Sequence, residues 1–249
     1  VRIRAGVDSG RGHAAHAGGS LRAARAFTLV DVLVSLTIIA LLITLLLPAL
    51  TQVRESTRRV VCASNTRQHG LGFAMYVEDY KSFPVSAYEP TKDTPSRAPA
   101  PVQKMIIART DAGNWDGLGV LFASGYLNAP QVFYCPSHRG SSPYSANADI
   151  WNYEYGQIVI NYQYRGSAPA AAPTDGTAVV ADGLRTKADY SHQVGSNILR
   201  NDYSVAWVPD RRGNIARALP DTEDDLAAAE KVSDAWEKIE EEAKKPSKE

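Results

Sequence analysis

From Phe27 to Leu47 every position is apolar except Asp31 and the hydroxyl-bearing Thr28, Ser35, Thr37 and Thr44, and there is no glycine. About 21 such residues rise about 30 Å as a helix, the hydrocarbon thickness of a bilayer. The helical pattern continues beyond this run. Leu50, Val53, Thr57, Val60, Ser64, Gln68, Leu71 and Met75 recur at three- and four-residue spacing and define one face. Arg54, Glu55, Arg58, Arg59 and Arg67 fall off that face, and Glu55 stands four residues before Arg59 as a surface ion pair. The pattern predicts one continuous helix of about fifty residues, its first half in lipid and its second packed on a soluble domain. Pro48 lacks an N–H and is expected to bend it.

Further along, the patterning is shorter. PVSAYEPTKDTPSRAPAPVQ holds five prolines and predicts an irregular surface loop. Trp115 to Gly125 reads as a short helix, with Asp116 as N-cap and Gly125 as stop. Val132 to Ser137 is a β-prone run ended by Pro136, and Ile158 to Tyr164 alternates as a half-buried strand. Strands are also expected at Ala178–Asp182, Asn197–Leu199 and Ser204–Val208. In the tail from residue 219, Leu226, Ala229, Val232, Trp236, Ile239 and Ala243 form a narrow stripe. They predict an amphipathic helix capped by Asp221 or Thr222 and docked on the domain or a neighbour.

Charge sharpens the membrane reading. The chain is formally neutral, but residues 1–26 carry five Arg and one Asp, which leaves the remainder with four more acidic than basic residues. That excess argues against a general nucleic-acid binder, and no nucleic-acid partner is expected. Residues 1–26 read as a basic, unstructured leader in which His13 and His16 are solvated. Arg22 and Arg25 ahead of the apolar run favour a cytoplasmic N-terminal side, with the following two hundred or so residues across the membrane. A secretory signal is the competing account, but its apolar core would be shorter than this one. Asp31 either rests at headgroup level or costs a few kcal/mol in lipid unless partnered. The two cysteines, Cys62 and Cys135, form one disulfide or stand as separate thiols.

The segment Ala26-Phe27-Thr28-Leu29-Val30-Asp31, between a basic leader and an unbroken apolar run, resembles the processing site of type IV pilin-like proteins. The resemblance implies cleavage by a prepilin peptidase between Ala26 and Phe27, methylation of the new amine, and pairing of Asp31 with the amine of a neighbouring subunit. Thr28 belongs to the same assembly segment. Ala26 and Asp31 stand where the family usually has Gly and Glu. Cys62, Asn65, Gln68, Tyr76, Tyr80, Phe83 and Pro84 resemble a C-x-x-N-x-x-Q to F-P segment of the planctomycete type of these proteins, and Tyr134-Cys135-Pro136-Ser137 resembles a second. The joint recurrence of the two segments in that family favours a Cys62–Cys135 pair. His192-x9-Asp202 resembles its C-terminal H-x9-D-G box, with Tyr203 in place of the glycine. The implied fold is α+β, a long N-terminal helix packed on a small antiparallel sheet.

The resemblance divides the chain into a leader (1–26), a transmembrane and assembly helix (27–50), a periplasmic α+β domain (51–218) and a charged tail (219–249). It implies a structural subunit of a pilus or type II secretion pseudopilus, held in the inner membrane by a single span. Its partners would be other pilin-like subunits, the prepilin peptidase, the inner-membrane assembly platform and membrane lipid. In the C-terminal box, His192, Gly195, Asn197 and Asp202 are the candidate residues, with His192 and Asp202 expected to stabilise a hairpin turn together. Asp182 and Asp202 are weak candidates for Ca2+, because the dense alternation of oxygen ligands in a calcium loop is missing. His69 reads as a packed or surface residue, and His138 lies in a turn-rich loop with no second His or Cys at ligand spacing. No nucleophile with a base and an orienting partner is evident, so an enzyme is not expected. The alternative is a signal-anchored periplasmic module that binds a ligand or does chemistry and never polymerises.

Overall fold

The computed structural model describes residues 28–86, 107–166, 176–222 and 228–244. The leader, the Ala26–Phe27 junction, Leu226 and most of the proline-rich loop lie outside these residues. The chain divides into two units, Val1–Pro48 and Ala49–Glu249. Helix α1 (Leu29–Tyr80) contains Pro48 without interruption.

In the first unit the helix starts at a capping box. Thr28 Oγ1 accepts the amide of Asp31 at 3.2 Å, and Asp31 Oδ2 accepts the amide of Thr28 at 3.0 Å. Ser35, Thr37 and Thr44 return their hydroxyls to carbonyls three or four residues earlier, so these groups are satisfied without water. Every described residue here is exposed. Among the described residues α1 is the one helix long and apolar enough to cross a membrane.

The second unit is a mixed α+β fold. Strands β1 (Ile107–Arg109) and β2 (Ile158–Val159) form a small antiparallel pair. Strands β3 (Tyr162–Tyr164), β4 (Ala178–Asp182), β5 (Gly195–Arg200) and β6 (Val205–Pro209) form an antiparallel sheet in the order β3-β4-β5-β6. Short helices α2 (Gly119–Ala123), α3 (Tyr144–Asn147) and α4 (Asn214–Ala218) and the longer α5 (Ala228–Ala243) complete it. Adjacent residues of a strand face opposite ways, and the sheet uses both faces. Val180 and Leu199 join Phe73, Phe133, Trp151 and Tyr162 in one core. Ala181 and Ile198 join Val232, Trp236 and Ile239 in the other. The described part of the expected tail stripe, Val232, Trp236, Ile239 and Ala243, therefore docks on the domain, with the Arg165 guanidinium over Trp236 at 5.5 Å.

The docking face of α1 differs from the one its apolar periodicity predicted. Val53, Val60 and Leu71 are 61%, 66% and 66% exposed, whereas Cys62, Asn65, Thr66, His69, Gly70, Gly72 and Phe73 are buried. Close approach selects that face. A Cβ on Gly70 would lie 2.9 Å from Leu199 Cδ1, and one on Gly72 would lie 3.1 Å from Leu127 Cγ. Of the polar residues near them, Asn65 Nδ2 donates to Tyr134 O at 3.2 Å and Thr66 Oγ1 to Cys62 O at 2.8 Å.

Three shorter elements also differ. The N-cap position is Leu118 and α2 starts only at Gly119, two residues later than Asp116 predicts; the Asp116 carboxylate accepts Ser86 Oγ at 2.9 Å. Val132–Ser137 is no strand but a 3-10 turn, Pro130–Phe133, running into an extended residue. Its carbonyls at Phe133 and Tyr134 are taken by Asn161 N and Asn65 Nδ2, outside any ladder. The Ile158–Tyr164 run divides between the two sheets, and Tyr162, Gln163 and Tyr164 are buried on both faces.

His69 is fully buried against Phe133 and Tyr162, at ring separations of 5.3 and 4.8 Å. Burial pushes its pKa down to about 3, and the Val132 backbone offsets little of that. The unfolded chain protonates this imidazole near pH 6.5 and the folded chain only near pH 3. Stability is therefore retained above pH 6.5 and lost as pH falls through this window. Replacing His69 by Leu should remove about 2–3 kcal/mol of the stability difference between pH 7 and pH 4.5. Urea unfolding of both proteins at the two pH values checks this.

Candidate functional site

The connection from β4 to β5 carries His192, the first residue of the C-terminal box, and β5 carries Gly195 and Asn197. Asp182 closes β4, Gly183 turns the chain with φ +65°, and the chain returns through His192 into β5. Asp182 is 1% exposed and anchored on β5. Its Oδ1 accepts Ser196 Oγ at 2.6 Å and Asn197 N at 2.9 Å, and its Oδ2 accepts Asn197 Nδ2 at 2.8 Å. Arg185 Nε (2.9 Å) and Thr186 Oγ1 (2.8 Å) donate to the buried Asp189, bracing the rest of the loop.

His192 stands between two carboxylates. Its Nε2 is 3.1 Å from Asp182 Oδ2, and its Nδ1 is 2.7 Å from Oε1 of Glu55 on α1. Ser137 Oγ donates to both oxygens of Glu55, at 3.1 and 2.9 Å. The Arg59 guanidinium lies 4.8 Å from the Trp207 ring centroid, and Trp207 meets the His192 ring edge-on at 5.5 Å. Burial acts to lower the His192 pKa. The hydrogen bonds and charges of Asp182, then of Glu55, outweigh it and hold the imidazole above its ordinary range. Beside the ring, Cys62 and Cys135 are joined in a disulfide with Cα atoms 5.5 Å apart, and His192 Nε2 is 3.6 Å from Cys135 Sγ. A helix, a turn and three strands thus converge on one imidazole.

Glu55, Cys62, Cys135, Ser137, Asp182 and His192 lie inside a span that also marks the chain's relatives, while Ser196, Asn197 and Trp207 follow it. Residues 51–193, from just before Glu55 to just after His192, match the family model described as a protein of unknown function, DUF1559. The chain belongs to the DUF1559 family. No curated protein and no solved structure matches it.

In this DUF1559 chain, the expected partnership of His192 with Asp202 does not form. Asp202 lies in the exposed β5–β6 turn, where its Oδ1 accepts Ser204 N at 2.9 Å. Tyr203 follows at φ +66°, so this turn keeps the left-handed conformation that glycine would favour. Gly195 is required by close approach, because a Cβ there would overlap the Trp207 indole and the Val208 carbonyl. Asn197 belongs to the cluster through Asp182. Among the described residues, the acidic oxygens of Asp182 and Asp202 are not brought together, so the suggested calcium ligands do not share a site. Ser137 donates to Glu55 and both sulfurs are bonded to each other, so no hydroxyl or thiol there is presented to His192 as a nucleophile.

Sequence reading missed Glu55, Ser137 and Trp207 as members of the site. Glu55 and His192 are 137 positions apart, and at short range Glu55 carries only the signature of a surface pair with Arg59, which is 3.9 Å away.

Breaking a buried charge pair leaves its partners unsatisfied. Asp182→Ala, which takes the carboxylate away from His192 Nε2, Ser196 Oγ and both nitrogens of Asn197, should cost about 3–5 kcal/mol. Glu55→Gln, at a quarter-exposed position that keeps a hydrogen-bonding side chain, should cost about 1 kcal/mol. Urea midpoints measure both.

Proposed function

We propose that this chain is a pilin-like structural subunit. A prepilin peptidase cuts it between Ala26 and Phe27, and it assembles through its apolar helix into a filament or a secretion pseudopilus. The observation that carries this reading is α1 itself, a single helix that continues from a fully exposed apolar segment into the face docked on the α+β domain. An ordinary membrane anchor does not require such continuity. A subunit that packs by helix bundling uses it to join assembly to the folded domain. The exposed Leu50, Val53, Val60 and Leu71 extend the apolar surface beyond the membrane span.

In this reading the domain is periplasmic before assembly. Neighbouring subunits, an inner-membrane assembly platform and lipid are the partners. Asp31 has two tasks. Its Oδ2 accepts the amide and the hydroxyl of Thr28, and the carboxylate also pairs with the methylated amine of Phe27 in the next subunit, as an ion in lipid requires a partner. The work is structural and not enzymatic.

Membrane-extracted protein co-expressed with a prepilin peptidase should begin at N-methylated Phe27 by intact mass and N-terminal sequencing. Asp31→Ala should abolish filament or pseudopilus formation while the urea midpoint of the soluble domain stays the same. An uncut chain, or a cut beyond Leu50, would overturn this reading in favour of an anchored, non-polymerising module.

A further inference from the structure

The atoms around His192 form a donor set beyond what an assembly subunit needs. One sulfur each from Cys62 and Cys135, a ring nitrogen of His192 and a carboxylate oxygen of Asp182 all lie within 4.8 Å of one another. All four residues are at least nine-tenths buried. We propose that in its dithiol form this chain binds one zinc ion through Cys62, Cys135, His192 and Asp182, so that the same junction is closed by a disulfide or by a metal.

The geometry suits tetrahedral zinc. Bonds of about 2.3 Å to sulfur and about 2.0–2.1 Å to nitrogen or oxygen set neighbouring ligands roughly 3.3–3.8 Å apart. His192 Nε2 is already 3.6 Å from Cys135 Sγ and 3.1 Å from Asp182 Oδ2. With the cysteine Cα atoms 5.5 Å apart, side-chain rotation alone lets two thiolates separate to that spacing. A mixed sulfur, nitrogen and oxygen set selects zinc over the hard cations Ca2+ and Mg2+.

The surroundings supply what such a site needs outside its ligands. A metal-bound imidazole usually donates its other N–H to a carboxylate, which fixes the tautomer and aims the ring. Glu55 Oε1, 2.7 Å from His192 Nδ1, stands in that position and is itself held by Ser137. Asp182 is fixed by Ser196 and Asn197, and its Oδ2 already faces Nε2. Four protein ligands and full burial leave no open position for water, so the zinc is structural.

The chemistry balances without a further reactant beyond a thiol or disulfide. A dithiol reductant gives two electrons and two protons to the Cys62–Cys135 bond and becomes a disulfide itself, leaving two thiols. Zinc displaces the two thiol protons as it binds, and His192 coordinates in its neutral form. In the reverse direction a disulfide oxidant accepts the two electrons, the sulfur–sulfur bond reforms and zinc leaves. The inference holds whether or not the chain assembles.

The test uses the full-length chain in detergent, fully oxidised or reduced with a phosphine that is then removed, titrated with Co2+ and afterwards with Zn2+. The reduced wild-type chain should take up one equivalent of Co2+, with thiolate-to-cobalt charge-transfer absorption and intense tetrahedral d–d bands. One equivalent of Zn2+ should erase both, and the oxidised chain should show neither. Glu55→Gln should weaken zinc binding 10- to 100-fold at unchanged stoichiometry, and His192→Gln should lower the d–d intensity or the affinity. A reduced wild-type chain without stoichiometric thiolate–cobalt absorption would overturn the proposal, whether it is folded by circular dichroism or unfolded and not refolded by zinc. So would equal binding by the oxidised chain, or cobalt spectra and affinity unchanged in His192→Gln.

Discussion

An imidazole buried between two carboxylates must keep both, because losing either strands charge or hydrogen-bonding capacity away from water. In this chain one carboxylate, Glu55, belongs to the long helix and the other, Asp182, to the sheet. His192 is therefore the point at which helix and sheet are held in register. The disulfide beside it and the Gly70–Leu199 approach above it reinforce the same docking. Dispersion packing alone tolerates sliding of a helix over a sheet. A hydrogen-bonded charge network with fixed donor directions does not.

That division explains what could be read from the chain. The apolar run, the strands at 178–182 and near 197 and 205, and the amphipathic tail were legible because each obeys a local period. The lower half of α1 misled for the same reason. Its apolar periodicity marks residues that stay exposed, and its buried face is built from Cys62, Asn65, Thr66, His69 and two glycines. Small and polar residues dock here because Asn65 and Thr66 have specific hydrogen-bond partners, His69 packs between aromatic rings and the glycines allow close approach, and none of these requirements leaves a period in the sequence. The site was legible in part. His192, Gly195 and Asn197 stood out by resemblance, but Glu55 stood out only as half of a surface pair. Asp202, nine residues beyond His192 in the box, lies in a turn elsewhere.

The sheet also accounts for the position of the charged tail. Its second face would be bare without α4 and α5, since Ala181, Ile198 and Val208 point that way. Val232, Trp236 and Ile239 cover it, and Glu240 accepts the backbone amide of Ala178 at 2.8 Å. The acidic composition of this helix belongs to its solvent side, while its sparse apolar stripe completes a core. With both faces occupied, the described surface of α1 is the broadest apolar area left open for contact.

The ties between helix and sheet also set an order of events during synthesis. Asn65 reaches Tyr134 across 69 positions, Cys62 reaches Cys135 across 73, and Glu55 reaches His192 across 137. None can close until its later partner, Tyr134, Cys135 or His192, has emerged, and such distant contacts form slowly. The docking of α1 is thus completed only after residues far along the chain have been made. Until residue 192 arrives, Glu55 is without its imidazole partner, and that end of the docking face of α1 remains open to whatever chaperone, membrane surface or neighbouring nascent chain is at hand.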